Sequence, residues 1–252
     1  MFYIIFIYVD RKATEISMLL FYIRHGDPIY NPNSLTPLGE RQAEAVAKRL
    51  ARYGIDKIYS STSTRAIQTA QPTCEILKKE MELIDFCNET HAWNDLTITK
   101  DGITTWLFHN QEICSFFNDA EIKNLGFNWY AHPDFTQYKK GIDRVYNETD
   151  NFIKTLGYEH IRYSGKYKVT EPNNQRIALF AHQGFGLSFL SCLLDIPYPM
   201  FATHFDMSHT GMTVIEFTNE NGISIPKVLT LSSDSHLYKD DLPTKYNNEL
   251  YF

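Results

Sequence analysis

The chain is poor in cysteine, in long apolar runs and in positive charge, and each shortage excludes a class of function. Its four cysteines, Cys74, Cys87, Cys114 and Cys192, are scattered through 252 residues with no Cys-x-x-Cys pair. That pattern suggests neither a zinc site nor a disulfide framework, and it fits a reduced, cytoplasmic setting. Lys and Arg number 24 against 30 Asp and Glu, a formal net charge of −6. Without a basic run or an array of stacking aromatics, nucleic acid is not an expected partner. The apolar opening Met1–Val9 is too short to span a bilayer and runs into Asp10-Arg11-Lys12. It also lacks the basic start and small-residue cleavage site of a signal peptide, so no membrane partner is expected. No repeat or low-complexity tract interrupts the chain.

A hydrophobic content of 43% is enough for a large core, and the length suits one α/β domain with room for an insertion. The apolar run Leu19-Leu20-Phe21-Tyr22-Ile23 reads as a buried strand, and it stops at Arg24-His25-Gly26. An imidazole and a guanidinium at a strand's carboxyl end stand where open α/β sheets bind ligands. Imidazole is a competent nucleophile towards phosphorus, and a planar guanidinium matches a phosphoryl group. Thr36-Pro37 marks a helix start, apolar Ala43, Val46, Ala47 and Leu50 follow at helical spacing, and Gly54 ends it.

A second strand, 55–60, leads into a helix over 64–80 that carries Arg65 in its first turn, with Pro72 marking early turns or a kink. A third, 176–181, ends at His182-Gln183-Gly184, where a helix over 184–194 begins. A further strand is expected at 211–217, a one-faced helix over 137–157 and a hairpin or loop over 158–175. Strands alternating with helices imply a mostly parallel sheet. A mildly acidic protein with a locally basic pocket suits a small phosphorylated anion.

The matching pieces are Arg-His-Gly at 24–26, Asn31, Leu-Thr-Pro-x-Gly at 35–39, Ser-Ser-x-x-x-Arg-Ala-x-Gln-Thr-Ala at 60–70 and His182 before Gln-Gly. In this order they resemble the histidine phosphatase superfamily, the phosphoglycerate-mutase-like group. The resemblance implies a three-layer α/β sandwich, a mostly parallel sheet flanked by helices with an inserted cap, here about 92–136. It also implies a domain over 18–252, leaving 1–17 as an N-terminal extension consistent with a mis-called start. An added edge strand is the other reading of that segment.

The implied activity is metal-independent hydrolysis of a small phosphorylated metabolite through a phosphohistidine on His25, with no cofactor. Arg24, Arg65 and His182 would neutralise the phosphoryl oxygens, and Asn31 aligns with a phosphate-contacting position. Backbone N–H groups of Gln183 and Gly184, opening a helix, offer further donors. The family usually has Gly directly after this second His, so Gln183 is a departure. Glu89 aligns with the family's proton donor, with Asp95 as the alternative.

Two other readings stay open: a phosphoglycerate mutase-type isomerase, and a non-catalytic phospho-ligand binder. The mutases resembling this chain carry extra arginines near the acid, whereas no Arg stands between Arg65 and Arg144 here. His204 and His209 suggest a metal pair only superficially, since no carboxylate or Cys pattern completes it. His209 either approaches the site or stays in solvent, and His91 either shapes the pocket or caps a turn. His109, His132, His160 and His236 read as ordinary polar surface. The aromatics of 92–136 either line a substrate pocket or form the segment's own core.

Overall fold

A computed structural model describes residues 17–244. The extension assigned to 1–17 therefore lies, apart from residue 17, outside the described residues. Six strands form the central sheet: β1 (Met18–Arg24), β2 (Lys57–Ser61), β3 (Met81–Ile84), β4 (Arg176–Ala181), β5 (Met212–Phe217) and β6 (Lys227–Ser233). Their order across the sheet is β6-β5-β1-β4-β2-β3. The four strands β1, β4, β2 and β3 run parallel, while β5 and β6 close one side antiparallel.

Period-two alternation divides the strand residues between two helical layers. Phe21 and Ile23 of β1 pack with Val46, Leu50, Ala70 and Cys74 from α1 (Pro37–Tyr53) and α2 (Thr64–Leu77). Leu20 and Tyr22 face the other way, towards a larger core that includes the helices Lys139–Thr155 and Gln183–Leu193. Every residue of Gln183–Leu193 is buried, as an apolar sequence all round requires.

The predicted helix over 37–53 is observed with those bounds, capped by the Thr36 side chain, which accepts from Gly39 N at 3.0 Å. The expected 64–80 helix is shorter and ends at Leu77, where Lys78 turns left-handed at φ 54°. Pro72 lies well inside it and does not end it. Segment 158–175 does contain a hairpin, Tyr158–Ile161 with Lys166–Val169. Among the described residues no helix is long and apolar enough to cross a membrane.

Between the second and third parallel crossings, the helix Glu89–Leu96 is labelled α3, which makes Lys139–Thr155 α4 and Gln183–Leu193 α5. After α3 comes a hairpin, Thr97–Lys100 with Ile103–Trp106, then short helical turns up to Tyr138. Most of its aromatics pack on one another: Phe117, Trp129 and Phe135 are fully buried, with ring centroids 5.2–5.5 Å apart. Trp93 and Trp106 turn instead towards the carboxyl edge of the sheet.

One histidine reverses its expected place. His160 is not at the surface; its side chain is 1% exposed. Nδ1 lies 2.7 Å from Asp150 of α4 and Nε2 lies 3.1 Å from Asp195 just after α5, while the ring stacks on Tyr167 at 4.3 Å. Burial opposes a charged imidazole, but hydrogen bonds to the two carboxylates and their charges outweigh it and hold His160 up at about 9. A group raised in the folded state contributes its full stability below its unfolded value, ~6.5. That contribution drains away as pH climbs through about 9. The midpoint of urea unfolding is expected to fall between pH 7 and pH 9, and His160→Gln to flatten that fall; equal slopes in both proteins would refute the assignment.

Candidate active site

Three parallel strand ends bring the basic groups together. Register pairs Arg24 of β1 with Ala181 of β4, and Phe180 of β4 with Ser60 of β2. The residues just past those points, His25, His182 and the Ser61–Arg65 turn, therefore meet at one edge. The resulting pocket, about 450 Å³, is lined by Arg24, His25, Arg65, Glu89 and Gln183. Tyr30, Thr90, Trp93 and Trp106 complete its walls.

His25 is 3% exposed, and its backbone N–H donates to Ala181 O at 3.0 Å. Its Nδ1 lies 2.7 Å from the carbonyl oxygen of Gly26. A carbonyl only accepts, so Nδ1 carries the proton and the lone pair is left on Nε2. Burial, then the charges of His182, Arg24 and Arg65, push the His25 pKa well below its ordinary value. The ring is therefore a neutral imidazole with a fixed tautomer.

The loop behind it explains the Leu-Thr-Pro-x-Gly block. A Cβ on Gly26 would stand 2.6 Å from Gly39 O, and one on Gly39 would stand 2.3 Å from Asp27 O. The two glycines let the strand end lie directly on the first turn of α1. Thr36 Oγ1 donates to Asp27 Oδ2 at 2.8 Å, and Gln42 Oε1 accepts from Asp27 N at 2.8 Å. Thr69 and Gln68 have similar duties: Thr69 Oγ1 accepts from Gly26 N at 3.0 Å, and Gln68 Oε1 accepts from Leu35 N at 2.8 Å.

His182 is fully buried beside His25, ring centroids 5.2 Å apart. Its Nε2 lies 2.9 Å from Ser61 Oγ, and Tyr22 brackets its backbone, donating to His182 O at 2.6 Å. Ser61 Oγ also accepts from Ser63 N at 3.3 Å, and among the described residues the buried His182 Nδ1 has no hydrogen-bond partner. Burial, then Arg65 and Arg24, hold His182 well below its ordinary pKa. Arg24 donates to Met207 O and lies 3.0 Å from His209 Nε2. Arg65 Nη1 donates to Asn33 Oδ1 at 3.2 Å, and its guanidinium sits 5.5 Å from the Tyr30 ring centroid.

Glu89, the first residue of α3, turns both carboxyl oxygens to the start of α5, accepting from Gly184 N and Phe185 N at 2.9 Å each. Burial raises its pKa, the two N–H bonds and the arginines pull it back, and the balance stays above the ordinary carboxyl value.

Three expectations do not meet this geometry. Asn31 stands exposed at the tip of the hairpin Pro28–Tyr30 with Asn33–Leu35, and it is Asn33 that reaches Arg65. The Gly184 N–H, expected as a phosphate donor, is occupied by Glu89. Asp95 faces away, bonded to Arg144 Nε at 2.7 Å. His91 pairs with Asp85 at 2.8 Å rather than shaping the pocket.

His209 does approach the site. Its ring is 5.8 Å from that of His25, its Nε2 meets Arg24, and its Nδ1 lies 3.5 Å from Asp27 Oδ1. Thr210 N donates to His25 O at 3.2 Å. His236, expected at the surface, is buried under this turn with Nε2 3.0 Å from Thr210 Oγ1; burial, then Arg49, pushes it down to about 4. The signal for these residues, Ser-His-Thr-Gly before β5, is short, and only the antiparallel pairing of β5 with β1 gives it meaning. His132 is also mostly shielded, against Phe116 and Glu121, whereas His109 is exposed.

As for metals, His204 lies 3.2 Å from Asn118 Oδ1 while His209 sits on Arg24, so they do not converge as a pair. Among the described residues, Asp150, His160 and Cys192 place possible ligand atoms within 4.8 Å of one another. Arg162 Nε donates to Asp150 at that cluster, a cation where a metal would need none.

Residues 20–105 match the profile of the histidine phosphatase superfamily, branch 1. A curated protein of Hydrogenobacter thermophilus, provisionally named phosphoserine phosphatase 2, is 30% identical over 105 residues. That match covers 35% of this chain and 52% of the relative, so the chain spans about half its length. Among solved structures, a phosphoserine phosphatase mutant from Entamoeba histolytica, in complex with phosphoserine, aligns with a TM-score of 0.58 at 21% identity. It covers 87% of this chain and 99% of that one. A mycobacterial glucosyl-3-phosphoglycerate phosphatase aligns with a TM-score of 0.55 at 17% identity, over 85% of this chain and 98% of its own. The likeness in these structures is one of fold, and residues 20–105, which hold Arg24, His25, Arg65 and Glu89, are similar to the histidine phosphatase superfamily, branch 1.

Proposed function

We propose that the protein hydrolyses small phosphomonoesters through a phosphohistidine on His25, without a metal ion. The observation that carries this reading is the convergence of Arg24, Arg65 and Glu89 on a His25 whose Nδ1 is tied to Gly26 O. His25 Nε2 attacks phosphorus while the ester P–O bond breaks. Arg24, Arg65 and His182 hold the equatorial oxygens, the charge-neutralising part of phosphoryl transfer. Glu89 gives its proton to the departing alkoxide. Its carboxylate then takes a proton from water, which attacks phosphorus and breaks the P–N bond, freeing phosphate and neutral His25.

Arg24 and Arg65 are the arginines of the pocket lining, and both belong to the phosphoryl position. Among the described residues no further cation lines it to hold a second anionic group in place for retransfer, which favours hydrolysis over isomerisation. The segment 92–136 acts in this reading as a cap over the mouth. The phosphoserine and glucosyl-3-phosphoglycerate phosphatases among the relatives support the general class of substrate.

His25→Ala should abolish turnover of p-nitrophenyl phosphate, by roughly 10³-fold or more, and abolish acid-labile, base-stable phosphoenzyme, while EDTA leaves the native rate unchanged. Persisting turnover in the variant, or loss with EDTA, would reject the mechanism.

The pH dependence follows from two opposite shifts. His25 is held neutral far below its ordinary value, so it should impose no acid limb near pH 6. Glu89 is raised and must be protonated to act, so kcat should decline as pH rises through its titration. Glu89→Gln should remove that limb and lower kcat by ~10²–10⁴-fold on alkyl phosphates, with a much smaller loss on p-nitrophenyl phosphate. Equal losses on both esters would take the proton donor's role from Glu89.

A further inference from the structure

The phosphoryl end of the pocket and its mouth differ sharply in chemistry. At the floor lie the two arginines and the paired imidazoles. At the mouth stand Tyr30 and Trp93, which are 70% and 37% exposed, with Trp106 behind them. Trp106 is fixed. Its ring lies so close to Gly184 that a Cβ there would be 2.4 Å away, and Phe108 stacks on it at 5.4 Å and 17°. Trp93 meets it edge-to-face at 5.0 Å and 90°. Trp106 is thus held as a rigid backstop, while Trp93 keeps an exposed surface beside the pocket.

Charge around the pocket is of both signs. Asp206 lies beside the pocket-lining Gln183, whose Nε2 donates to it, and Asp206 Oδ1 also accepts from Met207 N at 2.6 Å. Glu89 also lines the pocket. An alcohol bearing a carboxylate would meet these acids with no cation, among the described residues, in the lining beyond Arg24 and Arg65. A cationic alcohol would be drawn to the acids, but it would share the mouth with the Arg65 guanidinium over Tyr30. An uncharged ring avoids both conflicts and gains from stacking on exposed indole and phenol surface.

Taking the phosphatase reading as its basis, we propose that the site selects phosphomonoesters of uncharged alcohols that carry an aromatic ring, and that Trp93 is the specificity-determining residue. The inference departs from the phosphoserine and phosphoglycerate ligands of the fold relatives, both of which carry a carboxylate.

The test compares kcat/KM for benzyl phosphate, 3-phosphoglycerate, phosphoserine and phosphocholine, all esters of alkyl alcohols. Benzyl phosphate should lead each of the others by at least about tenfold, a ratio in keeping with one aromatic stack. Trp93→Ala should shrink that lead by roughly tenfold, and Trp93→Phe should restore most of it, with circular dichroism confirming that both variants fold. A preference for 3-phosphoglycerate, phosphoserine or phosphocholine would overturn the proposal, as would a lead unchanged in Trp93→Ala. In each of those cases turnover survives and the phosphatase reading stands. If no ester is hydrolysed and His25 is never phosphorylated, both readings fall together.

Discussion

Parallel pairing of β1 with β4, and of β4 with β2, is the constraint on which the site depends. Parallel neighbours end on the same side, so each chain segment leaving a strand starts its return crossing from one edge. Arg24 and His25 leave β1 there, His182 leaves β4, and Arg65 follows β2 by the Ser61–Thr64 turn. A one-residue slip of β4 against β1 would send its inward residues to the other helical layer. Leu179 and Phe180, which face opposite cores, forbid it. The packing that stabilises the sheet is thus the same packing that aligns the side chains of the pocket.

That alignment concentrates positive charge where water is scarce. Arg24 and Arg65 are 7% and 8% exposed, and burial lowers the pKa of both. Buried guanidinium groups without full compensation are costly, and a phosphoryl dianion supplies the missing charge. The protein's partial answers are carbonyls and rings. Met207 O accepts from Arg24, His209 Nε2 receives its other terminal nitrogen, and Asn33 Oδ1 accepts from Arg65. These are neutral acceptors, which orient the guanidinium groups without cancelling their charge. Burial and the same field together keep His25 and His182 uncharged.

How much of this was legible in the sequence depends on whether the signal was local. The helix over 37–53 was readable because Thr36, Pro37 and Gly54 mark its ends within a few residues. His25, Arg65 and His182 were readable because apolar runs point to them. The resemblance points to Asn31, and a hairpin tip exposed from Ile29 to Asn33 gives nothing in sequence to say which Asn reaches Arg65. The Gly184 N–H was assigned to phosphate because a helix start binds anions in general. The anion that arrives is the Glu89 carboxylate, from a residue 95 positions away. His160 and His236 read as surface because their partners are remote: Asp195 lies 35 positions from His160, and Thr210 lies 26 from His236. Non-local hydrogen bonds leave no periodicity behind.

The first turn of α5 ties floor and mouth into one device. Glu89 is seated on the N–H groups of Gly184 and Phe185, where the helix start favours negative charge. The Trp106 ring lies against the Cα of the same Gly184. Any side chain at that position would displace the aromatic backstop, and with it the wall beside Glu89. Gly186, one residue past Phe185, repeats the logic on the other side: a Cβ there would stand 2.6 Å from the Tyr22 hydroxyl that brackets His182. Two small residues in one helical turn therefore let the Glu89 carboxyl, an aromatic wall and the His182 imidazole share a single backbone support. Glu89 and the Trp106 wall cannot shift independently, because both rest on the first turn of α5 rather than on the loops above it.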